Sequence, residues 1–312
     1  MKSEMLTACL PQLETLIEEK RLFKNSVLTK IQSHLKQQSQ LPPFLEENIA
    51  NQWKLAEVAP SLVFLSYSLK NQNVPLEGLV DSLKEKFESP FSFCLPPYPE
   101  WVENVIKLQN NSLERGSEDE TLIQKFNKDT EVQCKAFKTA FHFLKEHWPE
   151  GAFCVESLIK CIILVDSESF WSSSIPIYQG AIIVAPQMSW NLAHYIETLV
   201  HESAHLELNI RRMLDPLITN SKEIAYSSLR KSNRPLLGIL HAAFVLIRTT
   251  RALDLLQPHH LGEEFTSCTD MKRDFSTNLR DSLHVLKTAA QFTPLGAQLF
   301  QNMCLQAKEA LA

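Results

Sequence analysis

Glycine is scarce in this chain: 7 among 312 residues, where an average usage of about 7% would supply roughly 22. Glycine alone reaches positive φ at little cost, so hairpin-rich and phosphate-cradling folds use it freely. The shortage argues against a β-sandwich, a propeller, a Rossmann domain or a P-loop nucleotidase. Neither G-x-G-x-x-G nor G-x-x-x-x-G-K occurs. Long apolar runs are missing too. The longest, Leu236 to Ile247, contains His241 and is shorter than the roughly 18 residues of a membrane span.

A basic excess is also lacking. The net charge is −5, with no basic stripe and no series of stacking aromatics, which disfavours a nucleic-acid partner. The 7 cysteines (Cys9, Cys94, Cys134, Cys154, Cys161, Cys268 and Cys304) are odd in number and follow no metal-like spacing. Reduced thiols in a cytoplasmic protein suit that pattern better than a disulfide framework. The N-terminus carries Glu4 early, and its apolar stretch is too short for a signal peptide. The expectation is a cytoplasmic protein with no membrane or nucleic-acid partner; its oligomeric state is open.

What is present is helical periodicity. Leu13, Leu16, Ile17, Leu28, Ile31 and Leu35 follow helical spacing, and Pro42-Pro43 ends the run. Further helical blocks surround Ile49–Leu55 and Leu76–Phe87. Pro90, Pro96, Pro97 and Pro99 then break the pattern and suggest a helical N-terminal region over 1–95 and a catalytic region over 96–312. Residues 120–148 read as one helix with Ile123, Phe126, Val132, Phe137, Phe141 and Leu144 as its stripe. The runs Cys161–Val165 and Ala181–Val184 are short and β-branched, with Pro176 and Gly180 between them. They predict a β-hairpin or paired strands near 160–186. The fold class expected is mainly α with a small hairpin or sheet.

From Trp190 to about Met213 the helical pattern is strong, with Ser189 or Asn191 available as N-cap. It contains His201-Glu202-Ser203-Ala204-His205. Histidines at i and i+4 differ by about 40° around a helix and about 6 Å along it, so both imidazoles can meet one metal ion. This is a zincin-like metal helix, on which Glu202 could serve as a peptidase general base. A metzincin is excluded because LELNIRR follows the motif and no G-x-x-H extension occurs. His194 lies on nearly the same face and reads as a structural or ligand-orienting histidine. Two candidates remain for a third ligand: Glu223, as in glutamate-type zincins, and His241 on the helix that Pro235 opens.

The stretches TLVHESAHLELNIRRMLDPL and YSSLRKSNRPLLGILHAAFVLIR resemble the HExxH-type Fe(II)/2-oxoglutarate-dependent peptide β-hydroxylases. That family occurs in gene clusters for ribosomally made, post-translationally modified peptides. The resemblance rests on the motif helix and on Tyr226, Ser227, Arg230, Arg234, Pro235, Leu236 and His241. The segment SSSIPIYQGAIIVAP also resembles the family's strand pair. It covers roughly residues 160–255 and departs at Ser228-Leu229, where Pro-Trp is common.

The resemblance implies Fe(II) held by His201, His205 and His241, with 2-oxoglutarate and O2 as co-substrates. A side-chain β-carbon of a precursor peptide would be hydroxylated. Arg234, then Arg230, would hold the distal carboxylate of 2-oxoglutarate, since the guanidinium fork binds carboxylates bidentately. Tyr226 would be a hydroxyl donor, and Glu202 would order a histidine or a water at the metal. The alternative is a zinc metallopeptidase with His201, His205 and Glu223 as ligands and Glu202 as base. The glycine shortage disfavours a jelly-roll barrel. Gly238, a turn before His241, is expected to let two helices pack closely.

Overall fold

Helices dominate, as the composition requires, and the described strands form two small open sheets with no closed barrel. The computed structural model describes residues 13–36, 91–113, 123–168, 170–174, 178–256 and 263–311. The helical blocks expected around Ile49–Leu55 and Leu76–Phe87 lie outside these residues. The chain divides into two units: a helical unit of 1–16, 134–155 and 189–312, and a sheet unit of 17–133 and 156–188. Residues 95 and 96, the boundary expected from the prolines, both fall in the sheet unit.

In the sheet unit, strands β1 (Ser92–Cys94), β3 (Cys161–Asp166), β5 (Ala181–Val184) and β4 (Ser172–Ser174) lie side by side in that order. Strand β3 runs parallel to β1 and β5, with Phe93 opposite Ile162 and Ile162 opposite Ile182. The two β-branched runs are therefore neighbours but not a hairpin. A hairpin would make them antiparallel, whereas the intervening segment supplies β4 as the antiparallel partner of β5. Every residue of β3 and β5 is buried, which is why both read as unbroken apolar runs. Gly180 stands before β5 with φ 102, and its carbonyl accepts from the backbone N–H groups of both Lys160 and Cys161. That positive φ is one that a β-carbon would strain.

Of the stripe expected on helix α1 (Leu13–Lys36), Leu16, Leu28 and Ile31 are buried, with Phe23 and Val27 beside them, whereas Ile17 is exposed. Helix α2 (Glu100–Leu113) packs Val102, Val105 and Ile106 into a core with Ile163, Val165 and Ile183. The helix expected over 120–148 starts later. Residues Gln124–Lys125 form β2, antiparallel to the end of β3, and helix α3 spans Thr130–His147. Asp129 sets that start, its Oδ1 accepting from the N–H groups of Glu131 and Val132. Helix α4 (Pro149–Leu158) follows.

The helical unit is organised by α5 (Leu192–Leu214), α6 (Leu236–Leu256), α7 (Glu263–Ala289) and α8 (Pro294–Ala310). Strands β6 (Ile224–Ser227) and β7 (Ser232–Pro235) form an antiparallel ribbon between α5 and α6. Pro235 ends β7 and the helix begins one residue later, at Leu236. By length and composition α6 is apolar enough to cross a membrane, but it packs against α5, α7 and α8 with most of its surface buried. A helix apolar on all sides belongs in a core, and Leu240, Ala243, Phe244 and Ile247 share one with Leu208, Leu279 and Met303.

The end of α5 is tied to the start of α8. Asp215 Oδ1 accepts from Leu217 N–H at 2.7 Å and from the Thr293 hydroxyl at 2.6 Å. The Thr293 hydroxyl oxygen accepts from Gly296 N–H and caps α8. A β-carbon on Gly296 would stand 1.9 Å from the Leu217 carbonyl oxygen, so glycine is required at this approach. Gly238 does not serve the close packing expected of it: a β-carbon there would meet nothing within 4 Å.

Candidate metal centre

Asn191 caps α5, and its N–H donates to His194 Nδ1 at 3.3 Å. His194 also stacks on Trp190, with ring centroids 6.0 Å apart. The role of His194 is thus to fix the helix start. Burial lowers its pKa, opposed by the charge of Glu197.

Two turns further along α5, His201 and His205 lie on one face, as the i, i+4 spacing dictates, with ring centroids 4.9 Å apart. Helix α6 brings His241 to the same place. The Nδ1 atoms of His205 and His241 are 3.1 Å apart and the rings stack at 25°. All three histidines are only partly buried, so one side of the cluster stays open. Glu202 is 1% exposed, and its charge acts on both His201 and His205.

Two residues of this cluster were hidden in the sequence. Glu197 Oε1 lies 2.9 Å from His201 Nδ1, and Arg212 Nη1 lies 3.2 Å from His241 Nε2. Arginine only donates, so His241 Nε2 must accept from it. The remaining proton of a neutral His241 is then on Nδ1, from which it donates to His205 Nδ1. Both contacts had a faint signal: Glu197 is one turn before His201, and Arg212 is two turns after His205, on the same helix face.

The electrostatics divide the three imidazoles. Burial alone would lower the pKa of His201, but the charge and hydrogen bond of Glu197, with Glu202 adding, outweigh it against Arg230 and hold it up at about 9. His205 is pushed down to about 3 by burial, then by the charge of His201, with His241 and Arg230 adding and Glu202 opposing. His241 is lowered to about 4 by burial and by the Arg212 guanidinium.

The other expected residues are placed as follows. Glu223 is exposed in the turn before β6, accepting from Asn220 Nδ2 at 2.8 Å. Arg234 is exposed on β7, with its Nε donating to Ser232 Oγ. Tyr226 is exposed on β6, opposite Asn233. Arg230 sits in the turn of the ribbon, and its N–H donates to the buried Ser227 Oγ. Of Arg230 and Arg234, Arg230 is the one whose charge reaches His201 and His205.

Further along α5 lies a buried ion cluster. Glu207, fully buried, pairs with Arg248 of α6 at 2.5 Å and with Arg211 at 3.1 Å. Arg248 also covers the Phe244 ring at 4.4 Å. Burial raises the Glu207 pKa, but the charges and hydrogen bonds of Arg248 and Arg211 overcome it and keep the carboxyl below its ordinary range.

The donor set bears on a metal in two ways. Two cis nitrogens bound at about 2.1 Å to one ion stand about 3.0–3.4 Å apart; the His205–His241 Nδ1 spacing of 3.1 Å matches, but an ion there must displace the proton that His241 Nδ1 shares with His205. His201 presents its Nδ1 to a carboxylate, the arrangement that orients a ligating histidine and leaves Nε2 for the ion. Among the described residues, no group of three or more His, Cys, Asp or Glu side chains converges to hold a metal. The fit is three clustered histidines, two of them joined by a hydrogen bond that a metal would replace and one anchored by Glu197. No protein-family model matches the chain, and no curated protein matches it.

Proposed function

We propose that this chain is an Fe(II)- and 2-oxoglutarate-dependent oxygenase that hydroxylates a side-chain β-carbon of a ribosomally made precursor peptide. His201, His205 and His241 would hold the metal. The observation that carries this reading is the 3.1 Å approach of His205 and His241 from two different helices. With His241 beside His205, a set completed by a third histidine is favoured over one completed by Glu223, which is exposed and engaged by Asn220. Three protein ligands on one face leave open positions for 2-oxoglutarate and O2, the arrangement of non-haem iron oxygenases.

When bound, ferrous iron with 2-oxoglutarate supplies the oxidising power that places one oxygen atom of O2 on carbon. The protein's own groups prepare for this. Burial keeps His205 and His241 unprotonated at neutral pH, as ligation demands. Glu197 orients His201 and takes the proton-bearing Nδ1 side of its ring. Arg230 adds positive charge near His201 and His205, where an anionic co-substrate is attracted. Glu202, buried beside the motif, adds negative charge that acts on both His201 and His205.

The test is anaerobic purification followed by metal analysis and turnover with candidate precursor peptides. The expected result is one Fe(II) per chain, succinate formed only with iron, O2 and 2-oxoglutarate together, and a peptide heavier by one oxygen. Peptide cleavage with zinc and no co-substrate would overturn the reading.

A further inference from the structure

In the sheet unit, away from any histidine of the proposed metal centre in sequence, two thiols meet. Cys94 ends the edge strand β1, and Cys161 opens the central strand β3. Their Sγ atoms are 3.0 Å apart, although 67 residues separate them in the chain. A disulfide has S–S of about 2.05 Å, so each sulfur need move only about half an ångström for a bond to form. Both cysteines are in the reduced form here. They differ in access: Cys94 is partly exposed, whereas Cys161 is fully buried.

We infer that Cys94 and Cys161 form a reversible disulfide, a modification site that couples the edge strand to the centre of the sheet. The strand register makes the bond reversible rather than permanent. Cys161 stands opposite Ser92 and Cys94 opposite Ile163, so the two cysteines are diagonal neighbours and not a facing pair. Diagonal sites stand about 7–8 Å apart, at or past the roughly 7 Å limit of an unstrained disulfide, so the strands must draw together to close the bond, and strained bonds are more readily reduced.

The oxidant is a small-molecule disulfide such as oxidised glutathione. The thiolate of Cys94, the accessible member, attacks one sulfur of that disulfide and releases one small thiol, giving a mixed disulfide. Cys161, already in contact, attacks Cys94 Sγ, loses its proton and releases the second small thiol. Two protein thiols are oxidised and one small disulfide is reduced to two thiols, so electrons and protons balance. Excess reduced thiol reverses both steps.

The experiment uses the full chain equilibrated in glutathione buffers from fully reduced to fully oxidised, trapped with acid, then alkylated in denaturant and read by peptide mass spectrometry. The chain has 7 cysteines. Reduced protein should take a label on each, and oxidised protein should lose two labels and yield a Cys94–Cys161 linked peptide. Dithiothreitol should restore both labels. Cys94→Ser, at the less buried position, should abolish the linked peptide and leave Cys161 labelled in every buffer. A Cys94 glutathione adduct that persists without resolving, a link between any other pair, or full labelling under oxidising buffer would each overturn the inference.

Discussion

His205 and His241 bring their Nδ1 atoms within 3.1 Å of each other across 36 residues of sequence. The contact exists only because α6 runs along α5, with the ribbon of β6 and β7 turning the chain back between them. If a metal occupies this junction, substitution of His241 must cost it a ligand. His241→Ala is expected to abolish stoichiometric Fe(II) or Co(II) binding, followed by equilibrium dialysis and the Co(II) absorption spectrum. Glu223→Ala should leave both unchanged; the opposite pattern would reassign the third ligand to the glutamate.

Metal uptake should depend on pH through His201. Glu197 keeps that ring protonated up to about 9, so at pH 7 an incoming ion must displace about one proton. Affinity should therefore climb by about tenfold per pH unit from 7 toward 9 and then level off. Glu197→Gln should flatten the slope in that window, while lowering affinity at high pH by about 10- to 100-fold, because the ring loses its orienting carboxylate. Titrations at three pH values, with and without the substitution, would show both effects.

Stability of the metal-free protein should be highest near neutrality. His205 and His241 have lowered pKa values, about 3 and about 4, against roughly 6.5 in an unfolded chain. Their contribution is present above 6.5 and is lost as pH falls toward their folded values, because unfolding takes up protons. His201 acts oppositely. Its raised value gives stability that is complete below 6.5 and lost as pH rises through about 9. Urea midpoints in chelator should fall on both sides of neutrality, and His241→Ala should reduce the acid-side slope.

The ion cluster of Glu207, Arg211 and Arg248 should be intolerant of partial removal. Taking away one partner strands buried charge, which typically costs about 3–5 kcal/mol. Glu207→Ala leaves Arg248, 5% exposed, without its carboxylate. A drop of that size in the denaturation free energy is expected, whereas joint replacement of Glu207 and Arg248 by apolar residues should recover most of it.

Two glycines should respond with opposite sign. Gly296→Ala forces a β-carbon against the Leu217 carbonyl and should destabilise by about 1–3 kcal/mol. Gly238→Ala fills open space on an α6 helix turn and should stabilise by about 0.5–1 kcal/mol. Thermal melts of the two variants separate them readily.

Much of this architecture was legible from local pattern. The β-branched runs of β3 and β5 announced buried strands, and the spacing of His201 and His205 announced a shared helix face. Strand direction was not legible. Whether β3 and β5 run parallel depends on where the chain goes between them, and β4 is only three serines. Glu197 and Arg212 were obscured for another reason. On an amphipathic helix both look like solvated surface: Glu197 until the role of the histidine one turn on is known, and Arg212 until a second helix brings His241. Gly238 misled because a glycine beside a ligand suggests contact, while the residue that closely approaches a backbone is Gly296, at the start of another helix.

The order in which the units take up the chain has a practical side. Segments 1–16, 134–155 and 189–312 belong to one unit, and 17–133 and 156–188 to the other. No single cut separates them, and any contiguous fragment holding 134–155 together with the histidine helices also carries 156–188. Recombination can exchange the whole helical unit between proteins only as a patchwork with several breakpoints. Laboratory truncation from either end will remove part of one unit before it isolates the other.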